Sequence, residues 1–199
     1  GILMDADISP STGQMVTIST PTFRNEQTMY ANDGTAGQLQ FWSWPDGTRQ
    51  FSNLTMPSEP RAVAFRPDGT EAAVMCAAGQ VLTINAETGQ ILARLKTESR
   101  RLSASYPEGQ GRVRYTNDGK SLIAWTHGVW VWDAETKALR FSKKNAGHRV
   151  ISVDVSKDGH RLAVAGGRSS MARVYDLSSG AMVRPAIKHP DAVFAARFN

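Results

Sequence analysis

The sequence predicts an all-β protein built from repeated four-stranded antiparallel units. Residues 62–95, 112–142 and 151–183 follow one pattern, and a more divergent copy fills residues 8–54. The three similar copies consist of an apolar run, an Asp-Gly turn, two more apolar runs, a polar turn and a final mixed run. Helix signals are poor because the apolar runs are short, β-branched or aromatic, and punctuated by glycine. A repeat of this length cannot bury its apolar face alone, so neighbouring copies are expected to stack.

The copy at 62–96 illustrates how the strands are assigned. Its first run is almost continuously apolar, which is typical of a strand covered on both faces. Pro67 presets the first position of the following turn, and Gly69 accepts the positive φ that closes a tight hairpin. The last run alternates apolar and polar residues, which favours a half-exposed outer strand. The predicted strands are 62–65, 72–77, 81–85 and 91–96.

Length and composition exclude several classes of protein. The chain has 199 residues, and no stretch approaches the roughly 20 apolar residues of a membrane-spanning helix. Residues 1–10 have no basic start and do not read as a signal peptide. A cytoplasmic chain without a membrane partner is therefore expected, and both ends are interpreted as cut from something longer. The single cysteine, Cys76, excludes an internal disulfide and a thiolate metal cluster, and is interpreted as a small buried apolar residue.

The charge balance is basic. Lys and Arg number 23 against 18 Asp and Glu, which gives a net charge of +5 and suggests nucleic acid or anionic lipid as a partner. The basic residues are dispersed, however, and many fall on the last strand of a copy, where charge discourages edge-to-edge aggregation. Nucleic acid is therefore not the expected partner. Electrostatic nucleic-acid binding stays open as an alternative, and it would show steep salt dependence.

The repeats carry a resemblance to a known family. Gly147-His148 precedes a strand, Asp158-Gly159 makes the next turn, and a later strand ends at Val174-Tyr175-Asp176. The previous copy has Val131-Trp132-Asp133 in that last place. This series resembles the WD-repeat β-propeller family, whose units run from Gly-His to Trp-Asp over about 40–45 residues. The tail at residues 179–199 resembles the bacterial, planctomycete-like branch of that family.

The resemblance implies a β-propeller of four-stranded antiparallel blades in an incomplete ring. About four blades plus one extra strand are expected, at residues 1–55, 61–97, 111–144 and 149–188, with the first strand of a next blade at 191–199. The resemblance also implies that further blades complete the ring outside this chain, where a signalling domain can be attached.

The loops predict where a partner binds. A meander places its first and third turns at one end of each sheet. The long connections 21–37 and 97–110 lie at the other end. Because function concentrates on loops held by a rigid scaffold, we expect a protein or peptide to bind there; lineage-specific loop growth without a partner is the competing interpretation. Aromatic residues and arginine are enriched in binding hot spots, and the predicted contacts are Phe23, Arg24, Met29, Tyr30, Arg100, Arg101 and Tyr106.

Motifs for chemistry are scarce. The sequence has no H-E-x-x-H motif, no Cys pair and no phosphate-binding loop, and its four histidines are scattered. The sequence therefore predicts no catalytic residue, no metal and no cofactor, and a non-catalytic interaction scaffold rather than an enzyme. The alternative is an enzymatic propeller whose central-channel site is completed by blades outside this chain.

Two tryptophan pairs recur with the same spacing. Trp130 and Trp132 alternate on one strand, so both indoles face the same side. A stacking platform for a ligand is one interpretation, and packing between blades is the favoured one. Trp42 and Trp44 repeat the spacing and support the packing interpretation.

Overall fold

The computed structural model describes residues 1–20, 37–77, 79–97, 111–144, 150–166 and 170–199. These residues contain sixteen strands in four antiparallel sheets and no helix, which confirms the predicted all-β class of four-stranded sheets. No described segment is thus a helix of the length and apolarity that crossing a membrane requires. The chain divides into two compact units, residues 1–114 and 115–199.

Each sheet is a meander whose strands follow one another in chain order. The first sheet contains β1 to β4, at Ile2–Ile8, Gln14–Thr20, Gln38–Ser43 and Leu54–Thr55. The second contains β5 to β8, at Pro60–Phe65, Glu71–Cys76, Gln80–Asn85 and Ile91–Lys96. The third contains β9 to β12, at Arg112–Tyr115, Ser121–Trp125, Gly128–Asp133 and Leu139–Lys144. The fourth contains β13 to β16, at Ser152–Val155, Arg161–Gly166, Met171–Asp176 and Ile187–Lys188.

The first hairpin of the second, third and fourth sheets turns on a glycine, as the sequence predicts. Gly69, Gly119 and Gly159 have φ angles of 73°, 69° and 75°, a left-handed conformation that glycine adopts without steric cost. The aspartate before each glycine also closes its turn. Asp68 accepts the backbone N–H of Thr70 at 2.9 Å, for example. The Asp-Gly signal therefore fixes where β5 turns into β6.

The last residue of the third strand in these sheets closes the next turn. Asp133 Oδ1 accepts the backbone N–H groups of Glu135 and Thr136 at 3.0 and 2.8 Å. Asn85 and Asp176 do the same in the second and fourth sheets. The Thr136 hydrogen bond, followed by that from Arg140, holds the pKa of Asp133 well below its usual range. The aspartate of the Trp-Asp pair therefore organises a turn.

The core of the first unit lies between the first and second sheets. Phe41 is fully buried at its centre, with its ring centroid 5.2 Å from that of Phe51 and 6.0 Å from that of Phe65. The first sheet contributes Val16, Ile18, Leu39 and Phe41, and the second contributes Val63, Phe65, Ala72, Val74, Cys76, Leu82 and Ile84. Each of these two sheets thus buries one complete face against the other.

Carboxylates join the first strands of these two sheets. Asp5 Oδ2 accepts the backbone N–H of Val63 at 3.1 Å, and Asp7 Oδ2 accepts that of Phe65 at 2.7 Å. Both donors lie on the edge of β5 that does not pair with β6. An unpaired backbone donor that is shielded from water is costly, so the carboxylates of β1 satisfy what the second sheet leaves open.

The second unit has its own core between the third and fourth sheets. Ile123, Val131 and Phe141 of the third sheet pack with Leu162 and Tyr175 of the fourth. Gly180, with φ of 69°, lies against Phe141, and a Cβ atom there would come within 2.5 Å of the Phe141 ring. A carboxylate of the first strand also accepts a backbone N–H in this unit: Asp154 of β13 accepts the N–H of Phe198 at 2.9 Å. Residues 189–199 form no regular strand.

Candidate functional site

The first and second sheets have the same strand register, so their positions can be matched one to one. Ile8 pairs with Met15 and Met15 with Trp42, while Phe65 pairs with Ala72 and Ala72 with Ile84. The first strand of each sheet has an irregularity in its pairing at the same place, between Leu3 and Asp5 and between Pro60 and Ala62. Any difference between matched positions therefore reflects side chains and not backbone geometry.

One face differs sharply between the two sheets. In the second sheet, the five matched residues of β6 and β7 are apolar and fully buried: Ala72, Val74, Cys76, Leu82 and Ile84. In the first sheet, the corresponding residues of β2 and β3 are only partly buried, and three of them are polar: Met15, Thr17, Ser19, Gln40 and Trp42. We call these five residues of the first sheet the polar face.

The polar face forms the floor of an open groove of about 670 Å³. This volume lies within the range of roughly 300–1,000 Å³ that is typical of ligand sites. The further residues that line the groove are Gly1, Leu3, Thr20, Gln38 and Gly47. None of these ten lining residues has a charged side chain, and none titrates through its side chain near neutral pH.

Trp42 is held in a fixed orientation within the groove. Its Nε1–H donates to Thr17 Oγ1 at 2.9 Å, across the β2–β3 pair. The guanidinium carbon of Arg49 lies 5.4 Å from the centroid of the Trp42 ring, which is a cation–π contact. The indole is therefore anchored on two sides, and little conformational entropy remains to be lost when a ligand contacts it.

The two glutamine side chains of β3 that line the groove differ in what they bind. Asn53 Nδ2–H donates to Gln38 Oε1 at 2.6 Å. The Gln40 side chain, by contrast, makes no hydrogen bond to any residue in the described part of the chain. Gln40 lies in the middle of β3 and is partly buried, so its amide is available to a ligand as both donor and acceptor.

The arrangement can bind a ligand through hydrogen bonds and apolar contact. Thr17, Ser19 and Gln40 supply hydroxyl and amide groups, and Leu3, Met15 and the indole supply apolar surface. Among the described residues, no cluster of three or more His, Cys, Asp or Glu side chains could hold a metal ion.

The binding residues predicted from the sequence cannot be placed. Phe23, Arg24, Met29 and Tyr30 fall within residues 21–36, and Arg100, Arg101 and Tyr106 within residues 98–110, so all seven lie outside the described residues. The Gly147-His148 pair lies outside them as well. Thr20 and Gln38, which flank the connection 21–37 in the sequence, both line the groove. The contacts at those seven residues remain a prediction.

The other predictions about single residues can be checked. Cys76 is fully buried, as predicted, and desolvation raises the pKa of its thiol to about 12. Trp130 and Trp132 are each only 3% exposed, which agrees with a packing role. The support that the spacing of Trp42 and Trp44 was expected to give to this role is not found among the described residues. Trp42 faces the groove, and Trp44 is 48% exposed because β3 ends at Ser43.

The polar face was not predicted from the sequence, although the divergence of the first copy contains the substitutions that create it. The first copy was recognised as divergent, and the divergence includes the replacement of Val, Cys and Leu by Thr17, Ser19 and Gln40. Finding this signal requires the strand register, because a shift of one residue moves every side chain to the other face.

Comparisons with known proteins identify the fold and leave the family open. No family model and no curated protein matches the chain. Among solved structures, a chain of Kuenenia stuttgartiensis hydrazine synthase is similar, with a TM-score of 0.68 and 16% identity over 94% of this chain. This chain spans about half of that chain, 49% of its length. The likeness supports the predicted propeller-type arrangement of four-stranded sheets, whereas membership of the WD-repeat family remains a prediction.

The comparison corrects one prediction. The chain was expected not to be an enzyme, and that inference is wrong because a similar fold occurs in hydrazine synthase, which is an enzyme. In all, 1637 chains of solved structures match, and a fold in such wide use does not select a function by itself. At 16% identity the likeness concerns the fold and transfers no activity to this chain.

Proposed function

We propose that this chain is a binding module of the β-propeller type and that the polar face of its first sheet binds a protein or peptide. One observation supports the proposal above all. On matched backbones, the second sheet has Val74, Cys76 and Leu82 where the first sheet has Thr17, Ser19 and Gln40. A face meant only for apolar packing would have no use for these polar groups, since an unpaired buried amide or hydroxyl is costly.

The site has the usual properties of a binding surface. Its central aromatic residue, Trp42, is anchored by Thr17 and Arg49, and tryptophan is among the residue types enriched in binding hot spots. Polar side chains with open hydrogen-bonding capacity surround it. The proposal extends the sequence-based expectation of a protein partner to a surface whose lining includes Thr20 and Gln38, and the seven predicted loop contacts are part of the same hypothesis.

The alternatives have less support. An enzymatic propeller completed by residues outside this chain is compatible with the likeness to hydrazine synthase, but no described cluster of side chains favours a particular reaction. Electrostatic nucleic-acid binding would need cationic side chains in the groove, and its lining residues have none.

Selection of peptides from a displayed library against the whole chain tests the proposal. Binding of the selected peptides is measured by calorimetry for the wild-type chain, for Trp42→Ala and for Trp44→Ala. We expect Trp42→Ala to weaken binding at least about tenfold, as truncation of an aromatic hot spot does. Trp44→Ala, which removes an exposed indole outside the groove, should have no effect. Failure to select any peptide, or equal binding by the two variants, would contradict the proposal.

A further inference from the structure

We infer that the occupant of the groove is an extended, uncharged polypeptide segment, held by side-chain hydrogen bonds. This inference rests on the proposed function and specifies the chemistry of the partner. It opposes what the net charge of +5 suggests, namely an acidic partner.

The charges around the groove support an uncharged partner. The ten lining residues contain Thr, Ser and Gln side chains but no Lys, Arg, Asp or Glu. The Arg49 guanidinium beside the groove stacks on the Trp42 ring. An acidic segment in this groove would lose hydration without gaining an ion pair along the floor, and burying an unpaired charge is strongly unfavourable.

The spacing of the polar groups supports an extended chain. Thr17 and Ser19 follow one another on one face of β2, and Gln38 and Gln40 do so on β3. Residues two apart on one face of a strand are separated by about 6.6–6.8 Å. An extended peptide lying along these strands has the same two-residue repeat, so every second backbone amide meets a hydroxyl or amide group in register.

The groove also offers a place for one apolar side chain. Met15 and Trp42 pair directly across β2 and β3, and Leu3 on β1 adds apolar surface. These three residues lie beside the hydrogen-bonding groups of Thr17 and Gln40. The predicted segment therefore has one apolar residue among uncharged polar residues such as Ser, Thr, Asn and Gln.

Two matched pools of labelled peptides test this chemistry. Both have one central Leu and the length of β2, 7 residues; one pool has Ser, Thr, Asn and Gln at the other positions, and the second has Asp and Glu. Fluorescence anisotropy measures their binding to the whole chain and to Gln40→Leu. The second sheet tolerates Leu at the matched position, so this variant is expected to fold.

We expect the uncharged pool to bind at least about tenfold more tightly than the acidic pool. Its affinity should change less than about threefold between about 50 and 500 mM salt, because only charge pairs are strongly screened. Gln40→Leu should weaken it about tenfold, the effect of about 1.4 kcal/mol. Circular dichroism of Gln40→Leu checks that the fold is unchanged.

The contrary outcomes separate the two hypotheses. Tighter, salt-sensitive binding of the acidic pool that still depends on Trp42 would overturn this inference and leave the proposed function standing. Displacement of the uncharged pool by a neutral oligosaccharide, with higher affinity for the sugar, would overturn the assignment to a polypeptide. Binding of neither pool, together with no effect of Trp42→Ala on any selected peptide, would overturn both.

Discussion

The first two sheets have the same register and the same number of strands, yet the same face is used differently in each. In the second sheet this face is apolar and completes a core with Phe41 and its neighbours. In the first sheet it is polar and lines a groove. The opposite face of the first sheet is as apolar as any core, with Val16 and Leu39 fully buried. Repetition of the backbone therefore leaves each face free to specialise through a few side chains.

The strongest test of this difference is a reciprocal exchange at one register position. Leu82→Gln removes a fully buried side chain and inserts an amide without a partner, which should lower the free energy of unfolding by about 4–6 kcal/mol. Gln40→Leu, the matched change in the first sheet, should alter it by less than about 1 kcal/mol. Urea denaturation measures both. Similar changes in the free energy of unfolding for the two variants would mean that the two faces are energetically equivalent, which contradicts the difference described above.

A smaller loss of stability is expected from breaking the hydrogen bond between β1 of the first sheet and β5 of the second. Asp7→Ala removes the carboxylate that accepts the backbone N–H of Phe65, and an orphaned donor at this place should cost about 1–3 kcal/mol. Asp7→Asn keeps an acceptor oxygen and should recover much of the loss. Asp46→Ala, in an exposed turn, is the control and should be near neutral in the same denaturation experiment. If Asp7→Ala lowered the free energy of unfolding no more than Asp46→Ala does, the carboxylate of Asp7 would contribute nothing measurable to stability.

The smallest expected effect concerns the reactivity of a thiol at two matched positions, Cys76 in the second sheet and Ser19 in the first. Desolvation raises the pKa of Cys76 to about 12, so at about pH 8 only roughly one thiol in ten thousand is ionised. Cys76 should resist iodoacetamide until the chain unfolds, whereas a cysteine placed by Ser19→Cys in a Cys76→Ala background should react readily. Mass spectrometry over time distinguishes the two. Rapid modification of folded Cys76 would show that its face is not sealed.

The same thiol predicts a pH dependence with a defined sign. Its folded-state pKa lies above the ordinary thiol value of 9.0, so the folded state holds the proton more tightly than the unfolded chain. This contribution to stability is complete below about pH 9 and is lost as pH rises toward about 12. Cys76→Ala should therefore flatten the alkaline limb of a plot of stability against pH.

Much of the fold could be predicted because the strongest local signals are tied to backbone geometry. Gly69, Gly119 and Gly159 were expected at positive φ and have it. The alternation in Ile91–Lys96 predicted a half-exposed outer strand, and the burial of that strand agrees. These features depend on short stretches of sequence, which is why a single chain reveals them.

The candidate site could not be predicted in the same way because it depends on pairing. Trp42 becomes a groove residue only when β3 is aligned with β2, and Gln40 stands out only when it is matched with Leu82. Both comparisons need the register of distant segments. The spacing of Trp42 and Trp44 was uninformative for a related reason, since it does not reveal that β3 ends at Ser43.

The carboxylates of Asp5 and Asp7 make the two sheets of the first unit unequal, because one sheet supplies the acceptors and the other supplies the donors. Because the earlier sheet supplies acceptors to the edge of the later one, a fragment that begins at Pro60 would lose both the acceptors and half of its core. A fragment that ends near Thr55 would keep both carboxylates, which water can then solvate, and would lose their N–H donors and the apolar cover of the second sheet. Trimming from the two sides is therefore not symmetrical, and truncations or domain fusions should keep β1 beside β5.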